Sequence, residues 1–453
     1  MNKQLFLKLL SLGLLAMILA LALSNIELKV NERSVTRDGA VRAIADQYAR
    51  EQQLVGPLML VKCSETVTNI ETDIKGVKHK NQSTQDCTFT VRPSTLQASG
   101  DLNVNERYRG IYKAHVYLAN LQLRASFSAD KFQLKPNQVI NQAYLVLGVS
   151  DPRGLKAIQV RDNSNRTLPA LPGVPDTYFN QGFHVEIAPN ALKQDLALEA
   201  TIELAGSTRL DLVPIGENNE FKLKSTWRHP SFSGNFLPEK RDVSQQGFHA
   251  LWRINDFATG GERMLDVKSR TMAEGQAPWL STTLGVALID PVNAYTQTDR
   301  AVRYGFLFVL LTLGSFFLFE VLKSRTVHPL QYLLVGFAVV LFFLLLLALS
   351  EHLAFRLAYE IAAAACVLMI AAYGRTLLGS WKNSATLGII YSLLYLGLYQ
   401  LLASEDYALL LGSWLVFGIL ALTMYLTRRL DWGMTGKRLP ENALDAQPNK
   451  HQP

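Results

Sequence analysis

The chain has 453 residues, a formal net charge of +7 and a mean hydropathy of +0.10. Only 18% of its residues are charged, against roughly 25% in soluble proteins. Residues 25–300 carry 32 Lys/Arg against 30 Asp/Glu, while the rest of the chain carries 13 against 8. The excess hydrophobicity therefore belongs to segments, which excludes a wholly soluble, a disordered or a fibrous protein. No zinc finger, helix-turn-helix pattern or basic tail accompanies the positive charge, so no nucleic-acid partner is expected.

The first apolar run, about Leu5 to Leu23, is long enough to cross a bilayer core of about 30 Å as a helix. Lys3 and Lys8 precede it and Ala20-Leu21-Ala22 lies near its end. A retained anchor and a cleaved signal peptide both fit this pattern, and either one exports the residues that follow. Residues 36–53 carry Val41, Ile44, Ala45 and Tyr48 at helical spacing, so they are expected to form a juxtamembrane helix.

After Gly56-Pro57 the periodicity becomes two. Strands are expected at 58–63, 87–93, 110–127, 143–151, 183–189, 196–206, 209–216, 220–227 and 249–255. Turn signals at Asp151-Pro152-Arg153-Gly154, Leu171-Pro172-Gly173 and Ala205-Gly206-Ser207 separate them. This spacing predicts a mainly antiparallel β domain of sandwich or barrel type, with a subdomain break expected near Pro169–Pro175. Cys63 and Cys87 flank a polar loop at the ends of two predicted strands. In an oxidising compartment they are candidates for a disulfide, with two separate buried thiols as the alternative.

Five further apolar runs follow, at about 304–322, 330–349, 353–373, 384–403 and 407–427. Lys323, Arg325, Arg375, Lys382, Arg428 and Arg429 occupy alternate loops, and Glu351, His352, Glu405 and Asp406 the opposite ones. By the positive-inside rule both termini are cytoplasmic and residues 25–300 face outward. The expected fold class is thus an α+β membrane protein with six transmembrane helices, a large β domain being inserted between helix 1 and helix 2. The expected division is an anchor at 1–24, the exported domain at 25–300, a five-helix bundle at 301–430 and a cytoplasmic tail at 431–453.

Chemical motifs are sparse. The eight histidines are dispersed, and no metal, phosphate-loop, dinucleotide or nucleophile-elbow pattern occurs. Ser128-Ala129-Asp130-Lys131 matches S-x-x-K, but the companion motifs of penicillin-binding enzymes are absent. The densest polar and aromatic stretch is 227–252. Its Trp227, His229, Pro230, Phe232, Phe236, Arg241 and Trp252 are candidates for a binding loop, weighed against a packed scaffold and against a Ser/His hydrolase. Within the apolar runs, Glu320, Arg356 and Glu360 are the ionisable candidates, and Arg356 and Glu360 stand four apart on one helical face. A transporter using them is the alternative function, although no inverted repeat or matched helix interruption is evident. Cys366 reads as a packing residue.

Several blocks resemble the CreD inner-membrane proteins of Gram-negative bacteria. They are LVGPLML (54–60), VNERYRGIYKAHVY (104–117), VSDPRGL (149–155), HPSFSGNFLPEKRDVSQQGF (229–248), YTQTDRAVRYGFLF (295–308) and HPLQYLLVGFAVVLFFLLLLALSEH (328–352). The resemblance implies a multi-pass inner-membrane protein with an uncleaved first helix and a periplasmic domain. It implies a role in cell-envelope integrity, induction by a two-component system, and a link to envelope stress and β-lactam response. It brings no catalytic residue, metal or cofactor, so a non-enzymatic protein is expected. The expected partners are membrane lipid and an unidentified envelope protein or glycan.

Overall fold

A computed structural model of the chain describes residues 3–72, 78–175, 181–260, 282–290, 293–323, 327–378, 381–403 and 408–428. The predicted tail at 431–453 and the loop charges Arg325, Glu405, Asp406 and Arg429 lie outside these residues. The fold divides into two compact units, one of residues 1–36 with 292–453 and one of residues 37–291.

A single helix, α1 (Lys3–Tyr48), contributes to both units. The sequence suggests an anchor and a separate helix at 36–53, but helical geometry continues without a break and ends five residues early. The polar stretch 25–36 has no Pro and no Gly to interrupt it, so the backbone ladder simply continues. Ala16, Leu19, Leu23, Ile26 and Val30 form one buried stripe along the helix, at spacings of three and four, with Leu15 beside it. From Arg37 onward, Val41, Ile44 and Tyr48 pack on Ala114 and Val116.

The residue 37–291 unit holds two eight-stranded sheets. The first contains β1 (Gln52–Thr72), β2 (Lys78–Val91), β5 (Gln138–Val149), β8 (Ala170–Pro172), β9 (Gly182–Ile187), β11 (Arg209–Leu212), β13 (Pro230–Gly234) and β16 (Leu284–Leu288). Their order is β13-β16-β11-β1-β5-β9-β8, with β2 also paired to β1. The second contains β3 (Thr95–Arg109), β4 (Tyr112–Phe127), β6 (Leu155–Arg161), β7 (Thr167–Leu168), β10 (Leu196–Ser207), β12 (Asn218–Ser225), β14 (Lys240–Ser244) and β15 (Gly247–Asn255), in the order β14-β15-β12-β3-β4-β10-β6-β7. Leu121, Leu123 and Ala125 of β4 face the core they share with Leu58, Val146 and Val185 of the other sheet. One core thus joins both layers, the arrangement of a sandwich. Most pairings are antiparallel, but β1–β11 and β12–β3 run parallel, so both sheets are mixed.

Three differences from the sequence reading have local causes. Gly56-Pro57 does not precede the first strand; it forms a register shift inside β1, between Val55 and Leu58. A bulge is where a strand tolerates a residue without an N–H. The expected break near Pro169–Pro175 is instead a crossover, since β7 ends at Leu168 in one sheet and β8 starts at Ala170 in the other. The strand β3 was not expected, because its inward positions Leu96, Ala98, Gly100 and Leu102 include two small residues that mute the alternation.

The second unit seats the end of α1 on the Asp151–Gly154 turn. Asp151 caps the short 3-10 helix Pro152–Gly154 by accepting from the Arg153 backbone N–H. The Arg50 backbone N–H donates to the same carboxylate at 3.0 Å, and Arg153 Nη1 donates to the Asp46 carbonyl at 2.5 Å. Bonded chiefly to the Arg153 guanidinium, Asp151 is held at a pKa of about 2. Gly154 is needed for the fit, since a Cβ there would lie 2.3 Å from the Ala205 carbonyl oxygen.

The first unit adds α3 (Ala294–Arg303), α4 (Gly305–Lys323), α5 (Pro329–Ser350), α6 (Phe355–Leu378), α7 (Trp381–Ala403) and α8 (Ala408–Thr427), the single turn α2 (Asp256–Thr259) lying in the other unit. Among the described residues four helices are long and apolar enough to span a membrane: α1, α5, α6 and α7. A fifth span results if α3 and α4, bent by 43°, are taken together. The apolar stretch of α8, Gly412–Tyr425, is shorter, so the sixth expected span does not reach that length among the described residues.

Cys63 and Cys87 stand directly opposite each other on β1 and β2, with Cα atoms 4.9 Å apart and their sulfurs joined. Cys366 is a free, buried thiol. Thiol titration of the unfolded protein should therefore find one thiol before reduction and three after. Three before reduction would exclude the disulfide.

Candidate functional site

In the bundle, the ionisable residues separate into paired and exposed groups. Lys8 of α1 forms an ion pair with Glu320 of α4, and Tyr332 of α5 donates its hydroxyl proton to the other Glu320 oxygen at 2.6 Å. Three helices thus meet on one carboxylate whose side chain is only 10% exposed. At the other end of the helix, Arg33 Nε lies 3.5 Å from Glu351 Oε1, which also accepts from Tyr295 of α3 at 3.2 Å. Between these two ties Leu19 fills a slot at Gly336 of α5, where a Cβ would sit 2.2 Å from Leu19 Cδ1. Arg356 Nε and Glu360 Oε1 pair at 2.9 Å, but on the bundle surface, with side chains 75% and 53% exposed. Sequence reasoning singled out Glu320 and missed Lys8 and Tyr332. In the sequence Lys8 reads only as a topology signal.

The aromatic stretch 227–252 is mostly strand, comprising β13, β14 and β15. Trp252 is fully buried and donates its indole N–H to the Phe236 carbonyl at 3.1 Å. Phe232 packs edge-on against Phe248 and Trp252, and Phe236 also lies against the core. Pro230 and Trp227 are half-buried, and Trp227 donates to the His229 carbonyl at 2.9 Å. These aromatics thus pack on the sandwich core, as the scaffold reading of the stretch expects. His229 and Arg241 remain exposed. The S-x-x-K lysine, Lys131, is paired with Glu217 across the short 3-10 helix Ala129–Phe132. Among the described residues no group of three His, Cys, Asp or Glu side chains is placed to hold a metal ion.

Two polar features in the sandwich were not anticipated. The first is a clasp around His115 of β4. Its ring lies tilted by 54° against Trp227, with centroids 4.4 Å apart, and 4.0 Å from carboxylate oxygens of both Glu106 and Asp290. Lys113 bridges the same two carboxylates at 3.3 Å each. His115 is buried and its Nδ1 has no hydrogen-bond partner. Burial, reinforced by Lys113 and Arg37 and opposed by Asp290 and Glu106, lowers the imidazole below its ordinary pKa.

The second is an open trough of about 790 Å³ on the outer face of the second sheet. Ser99 and Asp101 of β3, Asn120 and Gln122 of β4, and Lys222 and Lys224 of β12 form its floor. His249 of β15 and Lys240 and Asp242 of β14 complete one side, while Arg241, opposite buried Ala250, lies on the other face. The alternation that buries Leu121, Leu123 and Leu223 turns these polar neighbours outward.

The family model described as "Inner membrane protein CreD" matches residues 4–433. The chain belongs to the CreD family. The CreD inner membrane protein of Escherichia coli strain K12 is 36% identical over 436 residues, covering 95% of this chain and 94% of the relative. CreD membership makes the chain an inner-membrane protein, in agreement with its four or five long apolar helices. Neither the family nor the relative carries the name of an enzyme.

Two outcomes test these placements. Removing one partner of a buried ion pair strands the other, at a cost of about 3–5 kcal/mol, whereas removing both is often neutral. In detergent, Lys8→Met should therefore lower the melting temperature, and Lys8→Met with Glu320→Leu should recover most of the loss; additive losses would contradict the pair. For His115 the folded pKa lies below the unfolded value near 6.5. As pH falls through that window the unfolded chain takes up the proton first, so stability present above it is lost. Thermal melts at about pH 7.5 and 5.5 should show a smaller acid loss in His115→Gln than in the parent protein. Equal losses would remove His115 from the account.

Proposed function

We propose that this CreD-family chain is a non-enzymatic inner-membrane protein that supports cell-envelope integrity and the response to envelope stress, including β-lactam exposure. In this reading both termini are cytoplasmic, and the sandwich lies in the periplasm, where it contacts an envelope protein or glycan. The charge alternation of Lys3, Lys8, Lys323, Arg375, Lys382 and Arg428 against Glu351 and His352 supports that orientation. The observation that carries the function is the continuous helix α1, packed in the bundle at one end and against Ala114 and Val116 of β4 at the other. A sheet domain attached in this way has no need of a catalytic centre to act on the envelope; contact and anchorage suffice.

The polar geometry supports this over a transport relay. Glu320 is committed to Lys8 and Tyr332, and Arg356 and Glu360 are exposed on the outside of the bundle. Such pairs satisfy charge at an edge, where a relay needs a series of groups across the bilayer. The hydrolase alternative meets Ser231 inside β13, bonded into the sheet opposite Ala287, with His229 exposed beside Trp227.

A strain lacking the gene should show altered morphology and increased detergent sensitivity under envelope stress. Complementation by Arg356→Gln with Glu360→Gln should equal that of the parent gene. Normal morphology and resistance in the deletion strain would overturn the proposal, and loss of complementation by that double variant would restore the transport reading.

A further inference from the structure

We propose that the β3–β4 turn of the sandwich, with Tyr108, Arg109 and Ile111 at its tip, binds the lipid surface of the membrane that the chain spans. The contact is independent of the envelope partner proposed above. Two residues, Gly110 and Ile111, join Arg109 at the end of β3 to Tyr112 at the start of β4. Gly110 has a φ of 62°, a positive value of the kind that tight hairpin turns require. A Cβ on it would meet no described atom within 4 Å, so the tip stands clear of the rest of the sandwich.

Both covalent links from the sandwich to the membrane-spanning segments leave beside this turn. Near the end of the sandwich unit, Asp290 is paired with Lys113, which stands opposite Tyr108 in the register. Ala294, where the spanning pair α3 and α4 begins, is four residues further on. That is no more than about 14 Å of extended chain. At the start of the unit, the charge of Arg37 acts on His115, and Val41 packs on Ala114 and Val116. Arg37 is four residues beyond Arg33 on one continuous helix, a rise of about 6 Å. The Arg33–Glu351 pair closes the apolar part of that helix. A bilayer surface is therefore within reach of this end of the sandwich along both connections.

The side chains suit that surface. Single exposed apolar residues are ordinary, but three gather here around Lys113. Tyr108, 65% exposed, lies across the hairpin from it, and Ile111, 44% exposed, is two residues before it. Exposed Ile289 precedes its partner Asp290. Tyrosine rings favour the headgroup level of a bilayer, and arginine side chains lay their stems on apolar surface while the charge reaches phosphate. Arg107, Arg109 and Lys113 stand against the carboxylates of Glu106 and Asp290, a surplus of one positive charge. Aromatic and apolar contact therefore carries the seating, and charge adds to it on anionic lipid. The depth is limited as well. Gly110 and Ile111 lie outside the strand ladder, so their backbone groups must stay in the hydrated headgroup layer.

The test uses the full-length chain, with Cys366→Ser, reconstituted in vesicles of phosphatidylethanolamine and phosphatidylglycerol. A thiol-reactive bimane is attached at Ile111→Cys or, for comparison, at Ser164→Cys in the β6–β7 turn. Arg161 at the start of that turn aligns through Glu199 with Arg124 of β4, twelve residues from Tyr112, about 40 Å along the strand. The label at 111 should be quenched by acyl-brominated phosphatidylcholine added to the vesicles and shielded from aqueous iodide. The label at 164 should show the reverse. Tyr108→Ser with Arg109→Glu should lower the lipid quenching at 111 several-fold, which tethering alone or an inserting label does not require. An unchanged melting temperature confirms that this variant is folded; if it is not, Arg109→Glu alone supplies the same comparison. Iodide quenching at 111 equal to that at 164, or lipid quenching that ignores these substitutions, would overturn the proposal. Shielding from iodide without lipid quenching would overturn it too, and would assign the tip to a protein contact.

Discussion

The carboxylate of Glu320 accepts from Lys8 and Tyr332, and so holds three helices of the bundle together at one point. A second tie, Arg33 to Glu351, lies 25 residues along the same helix, about 37 Å at 1.5 Å per residue. That length exceeds a hydrocarbon core of about 30 Å only slightly, so the two ion pairs bracket the apolar part of α1. The Leu19 side chain in the Gly336 slot fixes the helix between them. In lipid there is little hydrophobic force to press helices together, so close packing at small residues and interhelical polar contacts carry more of the association. Without this arrangement α1 would be a leader passing beside the bundle. With it, α1 is a member of the bundle that also supplies the first packing surface of the sandwich.

The sandwich depends on α1 in a different way. Its last turns cover Ala114 and Val116 of β4, and its C-terminal end is bound by Asp151 and Arg153. The block VSDPRGL is therefore a seat for the helix end, with Gly154 small enough to let the Ala205 carbonyl approach. His115, two positions from Lys113 on the same strand, faces Glu106 and Asp290 in a separate cluster. Strand β4 thus carries apolar contacts to α1 and a charged clasp at neighbouring positions, and its later residues supply Asn120 and Gln122 to the trough.

The sequence made some of this legible and hid the rest for physical reasons. Long alternating runs such as 196–206 and 110–127 show their strands because one face is apolar throughout. The β3 strand is obscured by Ala98 and Gly100, which are small so that Leu121 and Leu223 can meet above them. The aromatic stretch 227–252 leaves scaffold and binding surface both open in the sequence because composition cannot tell which face of a short strand is covered; Trp252 is core and Phe232 packs against it. Glu320 could be picked out as an ionisable residue in an apolar run, but its partner Lys8 is 312 positions away. The trough is assembled from β3, β4, β12, β14 and β15, none of which carries a motif, and only the register aligns Asp101 with Lys224 and Lys224 with His249.

The claim on which the rest depends is that the leading helix is retained and buried against α5. Disulfide cross-linking tests it most directly, with Leu19→Cys and Gly336→Cys introduced into a Cys366→Ser background and the protein oxidised in its membrane. The account predicts a full-length chain that becomes efficiently cross-linked, with no cross-link in either single-cysteine variant. A mature chain that lacks the first helix, or a full-length chain in which the two cysteines fail to join, would contradict it.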